Sequence, residues 1–447
     1  MLTTEQEWQL EPPVSLRKQL DIHQLKALQR ICGGNRGICW HKVGTGKTRL
    51  AIAWMFYITQ TPRPLVVCSP SAFRTWEDEI IKVGMDHLID VTFLSYARLS
   101  GKKNVYIDTE KNNCLILDEG WLYKNHATKR SKAVQRISSW FPTLLLSGSV
   151  ITARNIEDVY GQVKAAGLDE LIAANITQFR ERYTIAVPNY AGFIDRYPKK
   201  RALETIQKAL DKNISIYFPK ETRTVKNITL RAEPYPVQTR IRQTLLRDYY
   251  YASQDSKGAF QVEVSNISSV LVKLQQISDG FLYNREGDFL LVKSAKLERL
   301  KSLANELLDA GERFIIWVAF RQTAKILSEA LPFPTVLLQG GTEFDFKYWH
   351  SGVPRACIAT IGSGASLNDF ADLGYAIFYS TNYNHLQVQQ AKGRVLRKGR
   401  THGIYFYYLN TVGFPDESVW DMLEKSESAE NYAVRTITQL LAASVIV

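Results

Sequence analysis

The sequence predicts an α/β protein with two parallel-sheet lobes and a helical, basic insertion between them. Three observations carry that expectation: two separate series of short apolar runs, helical patterns between the runs, and a change of composition from about residue 165 to about 290. Continuous apolar runs mark strands covered on both faces by crossover helices, whereas a half-exposed strand alternates apolar and polar residues. The first series is GICW (37–40), LVVCS (65–69), VTFLS (91–95), CLILD (114–118) and TLLLS (143–147). The second is RFIIWVAF (313–320), PTVLLQ (334–339), RACIAT (355–360), YAIFYS (375–380) and GIYFYYL (403–409). A length of 447 residues agrees, because one hydrophobic core rarely serves so long a chain.

The expected segmentation is a first lobe over 1–165, the insertion over 166–290, a second lobe over 291–415 and a helical extension over 416–447. The insertion is Tyr-rich, and from Arg196 to Arg231 it holds ten Lys or Arg against Glu204, Asp211 and Glu221. YTIAVPNYAGFIDRY (183–197) predicts a hairpin, with Pro188, Asn189 and Gly192 at its turn. Tyr249, Tyr250 and Tyr251 invite base stacking, but consecutive helical residues face different ways, so at least one of them is expected in the core.

A formal net charge of +12 and a pI near 9.3 favour a polyanionic partner, since clustered Lys and Arg release counterions condensed on phosphate backbones. Cys32, Cys39, Cys68, Cys114 and Cys357 are odd in number and scattered, without C-x2-C pairs, which argues against a disulfide framework or a zinc site. The polar start MLTTEQEWQLEPPV has no apolar signal core, and no run of about 18 apolar residues occurs. A cytoplasmic protein away from membranes is expected. No feature of the chain identifies a protein partner.

HKVGTGKTRLAIAW (41–54) follows the run GICW and opens a helix, the setting a phosphate loop requires. Gly44, Thr45 and Gly46 let backbone amides approach phosphate oxygens, Lys47 offers a cation to the outer phosphates, and Thr48 presents a hydroxyl to Mg2+. The full pattern has Gly where this chain has His41. CLILDEGW (114–121) then supplies a carboxylate pair at the end of a buried strand. Asp118 is placed to reach Mg2+ and Glu119 to orient and deprotonate an attacking water. ATP and Mg2+ are the cofactors this pair of motifs implies.

The ordered set resembles a superfamily 2 helicase, and most closely its Snf2-like branch of double-stranded DNA translocases, which have two RecA-like lobes. LDIHQLKAL (20–28) resembles the adenine-reading Q motif, with Gln24 as its glutamine. LVVCSPSAFRTWEDEI (65–80) resembles motif Ia, including Trp76 and Glu77, and LSGSVIT (146–152) resembles motif III with Val150 in place of proline. SAKLERL (294–300) and FIIWVAF resemble the family's motif IV region. TIGSGASLN (360–368) resembles motif V, with Asn368 as its asparagine, and FPDESVWDMLEK (414–425) the family's closing helix. FRERY (179–183) and KLQQISDG (273–280) resemble the family more loosely.

QQAKGRVLRKGR (389–400) would in isolation be a basic surface patch. QAKGRVLR (390–397) matches the Gln-x-x-Gly-Arg-x-x-Arg pattern of motif VI, so the resemblance makes Arg394 and Arg397 the arginines that act on the γ-phosphate, with Gln390 contacting phosphate or water. On a helix these three share one side, while Lys392, Lys398 and Arg400 point elsewhere and are expected to be solvated or to touch DNA.

The resemblance also implies DNA contacts from loops after strands: Ser69, Arg74, Ser95, Tyr96, Thr360 and Ser363, with Lys199, Lys200 and Arg201 of the basic stretch gripping a duplex or junction arm. Hydroxyls and cations suit sequence-independent phosphate contacts. Ser147 and Ser149 are expected to relay between the ATP and DNA sites. The compact chain looks most like small phage-type or annealing-type helicases acting on branched DNA. Two other readings stand beside it: an RNA helicase, and a nucleotide-gated nucleic-acid-binding protein without strong hydrolysis, prompted by His41 and Val150.

Overall fold

In a computed structural model the described residues are 11–100, 107–148, 156–188, 194–219, 224–255, 258–340, 344–363, 370, 372–396 and 403–425, with 432, 435–437 and 439–440 near the C-terminus. They form two compact units, Met1–Glu221 and Thr222–Val447.

The first unit begins with α1 (Val14–Arg17) and α2 (Ile22–Ile31), followed by β1 (Arg36–His41), α3 (Lys47–Ile58), β2 (Pro64–Cys68), α4 (Pro70–Lys82), β3 (Thr92–Ser95) and α5 (Tyr96–Ser100). Then come β4 (Cys114–Leu117), α6 (Lys129–Ser138), β5 (Thr143–Ser147), α7 (Glu157–Ala165) and α8 (Ile176–Tyr183). An antiparallel ribbon of β6 (Thr184–Pro188) and β7 (Ile194–Pro198) leads to α9 (Ala202–Ala209) and β8 (Ile214–Tyr217). The sheet is parallel, in the order β3-β2-β4-β5-β1-β8. All five predicted runs are strands, and β1, β2, β4 and β5 are buried almost along their whole length because helices cover both faces.

The second unit starts on β9 (Val225–Ala232), α10 (Pro236–Asp248), the antiparallel pair β10 (Tyr250–Asp255) and β11 (Gly258–Glu263), and α11 (Ile267–Asp279). A small pair, β12 (Phe281–Tyr283) and β13 (Phe289–Leu291), precedes α12 (Ala295–Asp309), β14 (Phe314–Val318), α13 (Arg321–Ala330), β15 (Thr335–Leu338) and α14 (Phe346–His350). The unit closes with β16 (Ala356–Thr360), β17 (Tyr375–Phe378), α15 (His385–Val395), β18 (Ile404–Thr411) and α16 (Asp416–Lys425). Its parallel sheet runs β15-β16-β14-β17-β18-β9. Tyr432 and Ile437, beyond α16, are buried in the same core.

The stretch 166–290 is divided between the two units. Its α8, ribbon, α9 and β8 belong to the first, where β8 pairs with β1, while β9 to β13 belong to the second, where β9 pairs with β18. The expected hairpin at 183–197 is the β6–β7 ribbon, although its turn, 189–193, lies outside the described residues. Of the three tyrosines, Tyr251 is buried while Tyr249 and Tyr250 are exposed. Helix α10 stops at Asp248, and Tyr249 takes a left-handed φ of 55° before the strand begins.

A charged network stitches the second unit's core. Lys296 of α12, fully buried, donates to Asp279 at 2.7 Å, to the Tyr379 carbonyl at 3.0 Å and to Asp416 Oδ1 at 3.3 Å. Asp279 Oδ2 also accepts from Thr323 and Ser380, both at 2.7 Å, and Asp416 accepts from Ser278 and from the Thr411 amide. One lysine thus faces two carboxylates whose other oxygens are hydrogen-bonded, as buried charge demands.

Among the described residues no helix is long and apolar enough to cross a membrane. All five cysteines are free, four of them buried, and burial pushes the Cys39 and Cys114 thiols up to about 12.

Candidate active site

In a parallel sheet every strand ends on the same edge, and ligands bind outside that carboxyl edge. In the first unit β1 delivers residues 42–46 there, β4 delivers Asp118 and β5 delivers Gly148. Gly44 and Gly46 have φ of 81° and 75°, a left-handed region that L side chains rarely adopt, which is why the turn into α3 is written with glycines. Lys47 lies at the first turn of α3, its Nζ 3.2 Å from the His41 carbonyl it donates to. Gly148 passes so close that a Cβ there would lie 2.8 Å from Val43 Cγ2 and 3.5 Å from Lys47 Nζ. The strand-loop-helix motif and the start of the third motif therefore meet.

Gln24 is buried on α2 and fully engaged with the loop. Its Nε2 donates to Gly46 O at 2.9 Å and Thr45 O at 3.3 Å, and its Oε1 accepts from the Asp21 amide at 2.7 Å. The glutamine expected to read adenine here ties the loop backbone to the N-terminus of α2.

Asp118 follows β4. Its Oδ2 accepts from Trp76 Nε1 at 3.2 Å, its Oδ1 accepts from the Glu119 amide at 2.9 Å, and its carbonyl accepts the Tyr96 hydroxyl at 3.0 Å. Glu119 has φ of 49°, one of three non-glycine residues with positive φ among those described. A strained backbone at a candidate general base is held by its surroundings, and here Glu119 Oε2 accepts from Trp121 Nε1 at 2.9 Å. Thr48 and Asp118 offer the hard oxygen donors that Mg2+ prefers. Trp76 and Trp121 were visible only as parts of motif text; their aim at the two carboxylates is not a sequence signal.

His41, where a glycine was expected, is buried with Nε2 2.9 Å from Ser215 Oγ of β8. Burial first, then the nearby Lys47 and His23, holds its imidazole neutral, with the pKa lowered to about 3.

In the second unit α15 begins at an Asn384 cap, whose side chain accepts from the Leu386 and Gln387 amides. Gln390 and Arg394 are both buried on this helix, one turn apart. The helix ends at Val395, and Arg397, Lys398 and Arg400 lie outside the described residues, as do Ser149, Val150 and Asn368. Lys392 is not the solvated cation expected. Its Nζ sits 5.2 Å from the Tyr408 ring centroid, 5.6 Å from Trp420, 5.9 Å from Phe406 and 6.0 Å from Phe378, a site where aromatic faces stabilise the ammonium.

The residues expected at DNA take varied positions. Ser69 stands at the N-cap position of α4, and Arg74 is exposed 3.7 Å from Asp78. Ser95 is buried with Oγ accepting from the Arg98 amide, and the Tyr96 hydroxyl is turned to Asp118. The hydroxyls of Thr360, the last residue of β16, and of Ser363 are hydrogen-bonded to each other. Lys199, Lys200 and Arg201 are exposed before α9, with Lys199 Nζ donating to the Glu181 carbonyl at 2.5 Å. Ser147 is buried at the end of β5.

No family model matches the chain. It is 22% identical over 446 residues to the putative ATP-dependent helicase/translocase YwqA of Bacillus subtilis (strain 168), covering 89% of this chain and 47% of the relative. Over 425 residues it is 24% identical to the SWI/SNF-related matrix-associated actin-dependent regulator of chromatin subfamily A-like protein 1 of Xenopus laevis, covering 86% of this chain and 40% of the relative. The chain is thus similar to an ATP-dependent helicase/translocase and to a SWI/SNF-related regulator of chromatin, and it spans less than half the length of these curated relatives. Among solved structures it is similar to the Sulfolobus solfataricus SWI2/SNF2 ATPase core in complex with dsDNA, at 17% identity and a TM-score of 0.38, covering 97% of each chain.

Proposed function

We propose that this chain hydrolyses ATP to drive translocation on double-stranded DNA and remodels branched DNA by branch migration or fork reversal. The observation that carries the reading is the first unit's carboxyl edge, where a glycine-turned loop with Lys47 and Thr48 shares one sheet edge with Asp118 and Glu119. Similarity to an ATP-dependent helicase/translocase along most of the chain supports it.

In this reading the backbone amides of Gly44 to Lys47 and the Lys47 ammonium bind the phosphates, and Thr48 and Asp118 hold Mg2+. The metal, when bound, neutralises charge on the outer phosphates. Glu119 takes a proton from the attacking water; Gln390 contacts that water or the phosphate; Arg394 and Arg397 stabilise charge on the transferring group. Phosphoryl transfer demands positioning and charge neutralisation rather than covalent help. Exposed Arg74, Lys199, Lys200 and Arg201 contact the DNA backbone, with Ser69, Ser95, Thr360 and Ser363 near it. Similarity to a relative named as a regulator of chromatin supports DNA over RNA, and the net charge of +12 suits any polyanion.

The test is steady-state ATP turnover with linear duplex, forked, three-way and four-way DNA, and with RNA duplex as the comparison. Turnover raised most by branched DNA is expected. Equal stimulation by linear duplex would remove the branched-DNA part, and preferential stimulation by RNA would replace the DNA reading.

A further inference from the structure

The departure at His41 becomes meaningful when the surroundings of the loop are followed outward. Two consecutive residues of α2 hold the loop's carbonyls: His23 Nε2 lies 2.9 Å from Thr45 O, and Gln24 donates to Gly46 O. His23 is itself clamped, because its ring stacks on that of Tyr217 with centroids 4.2 Å apart and planes 12° apart. Tyr217 is the last residue of β8, and its carbonyl accepts the amide of Lys42, the first residue of the loop, at 2.9 Å. Two residues earlier on β8, Ser215 meets His41. The links close a circuit: loop carbonyl, His23, Tyr217, β8, Ser215, His41 and back to the root of the loop.

Position 41 usually carries a glycine in phosphate loops. Here the imidazole fills that place, its Nδ1 without a hydrogen-bond partner among the described residues, and its other nitrogen is held by a strand 174 residues further along the chain. Strand β8 lies outside β1 at the edge of the sheet and contributes no residue to the motifs of the sequence. Its contribution to the nucleotide site is therefore made through side chains that touch the loop's supports and not through contact with a phosphate.

We propose that Tyr217 is a positioning residue for nucleotide binding, acting through the His23 stack to hold the phosphate loop in its binding geometry, with the His41–Ser215 link fixing the strand that carries it. The inference rests on the reading that the loop binds ATP. An aromatic stack of this kind is worth about fivefold to tenfold in an equilibrium that depends on it. The ring matters and the hydroxyl does not, so phenylalanine is expected to substitute and an aliphatic side chain to fail.

Equilibrium binding of a fluorescent N-methylanthraniloyl ATP, with Mg2+, to the full chain tests this, together with KM and kcat for ATP. Tyr217→Phe is expected to bind within twofold of the unsubstituted protein. Tyr217→Leu, which keeps apolar bulk beside His23, is expected to bind about fivefold to tenfold more weakly, with KM raised by the same factor and kcat within twofold. Equal binding by Tyr217→Leu and Tyr217→Phe overturns the inference while leaving the ATP reading intact. Failure of the unsubstituted protein to bind, or binding by Lys47→Ala as tight as by the unsubstituted protein, overturns the ATP reading and this inference with it.

Discussion

Trp76 donates its indole N–H to Asp118 Oδ2 across 3.2 Å, from a side chain buried on α4 to a carboxylate beyond β4. A carboxylate that holds a metal works best when a neighbour fixes its rotamer, and loss of such a partner commonly lowers metal affinity about 10- to 100-fold. Trp76→Phe keeps the packing and removes the donor. The expected result is about tenfold more Mg2+ for half-maximal ATP turnover, with kcat at saturating Mg2+ much closer to normal. An unchanged Mg2+ titration would show that the indole does not aim Asp118.

Arg397 ends the Gln390-Arg394-Arg397 series, and an arginine at a phosphoryl-transfer transition state contributes on the order of 10³ to 10⁵ in rate. Arg397→Ala is expected to lower kcat by about 10³ while DNA affinity, followed by fluorescence anisotropy, stays within about twofold. Parallel loss of both would make Arg397 a DNA contact.

Lys296 shows how the second unit depends on one buried cation. Lys296→Met leaves Asp279 and Asp416 facing each other without it, and breaking a buried pair by removing one partner costs about 3–5 kcal/mol. The midpoint of the second unit's urea transition is expected to fall accordingly. Replacing Lys296, Asp279 and Asp416 together by apolar residues of similar size is expected to be milder than Lys296→Met alone.

His41 predicts acid sensitivity of the first unit. Its folded pKa of about 3 lies below the ordinary value of 6.5, so the folded state binds fewer protons than the unfolded state between those pH values. Stability from this group is full above pH 6.5 and falls as the pH drops towards 3. At pH 5 the loss is about 2 kcal/mol. Urea transitions at pH 7 and pH 5 are expected to show a smaller drop for His41→Gln than for the unsubstituted protein; equal drops would place the imidazole in contact with water.

Ten strands were legible in the sequence because each is written as a continuous run of mostly apolar residues. Strands β8 and β9 were not. ISIY and VKNITLRA lie in basic text that reads equally well as loop or helix, and pairing with β1 or β18 is a property of the folded sheet. The phosphate loop was legible because Gly44 and Gly46 must take positive φ and only glycine does so freely. The aim of Trp76, the clamp of Tyr217 on His23 and the aromatic surroundings of Lys392 join residues far apart in sequence. Lys392 in particular looked solvated because the run around it, 389–400, holds five cations and no acid, whereas its neighbours in space are rings.

Displacement of a third strand from a DNA triplex measures ATP-driven movement along duplex without requiring strand separation. The protein is expected to displace the third strand only with hydrolysable ATP, and Glu119→Gln is expected to bind ATP and DNA yet leave the triplex intact. Displacement without ATP, or at an undiminished rate by Glu119→Gln, would contradict translocation driven by hydrolysis at this site.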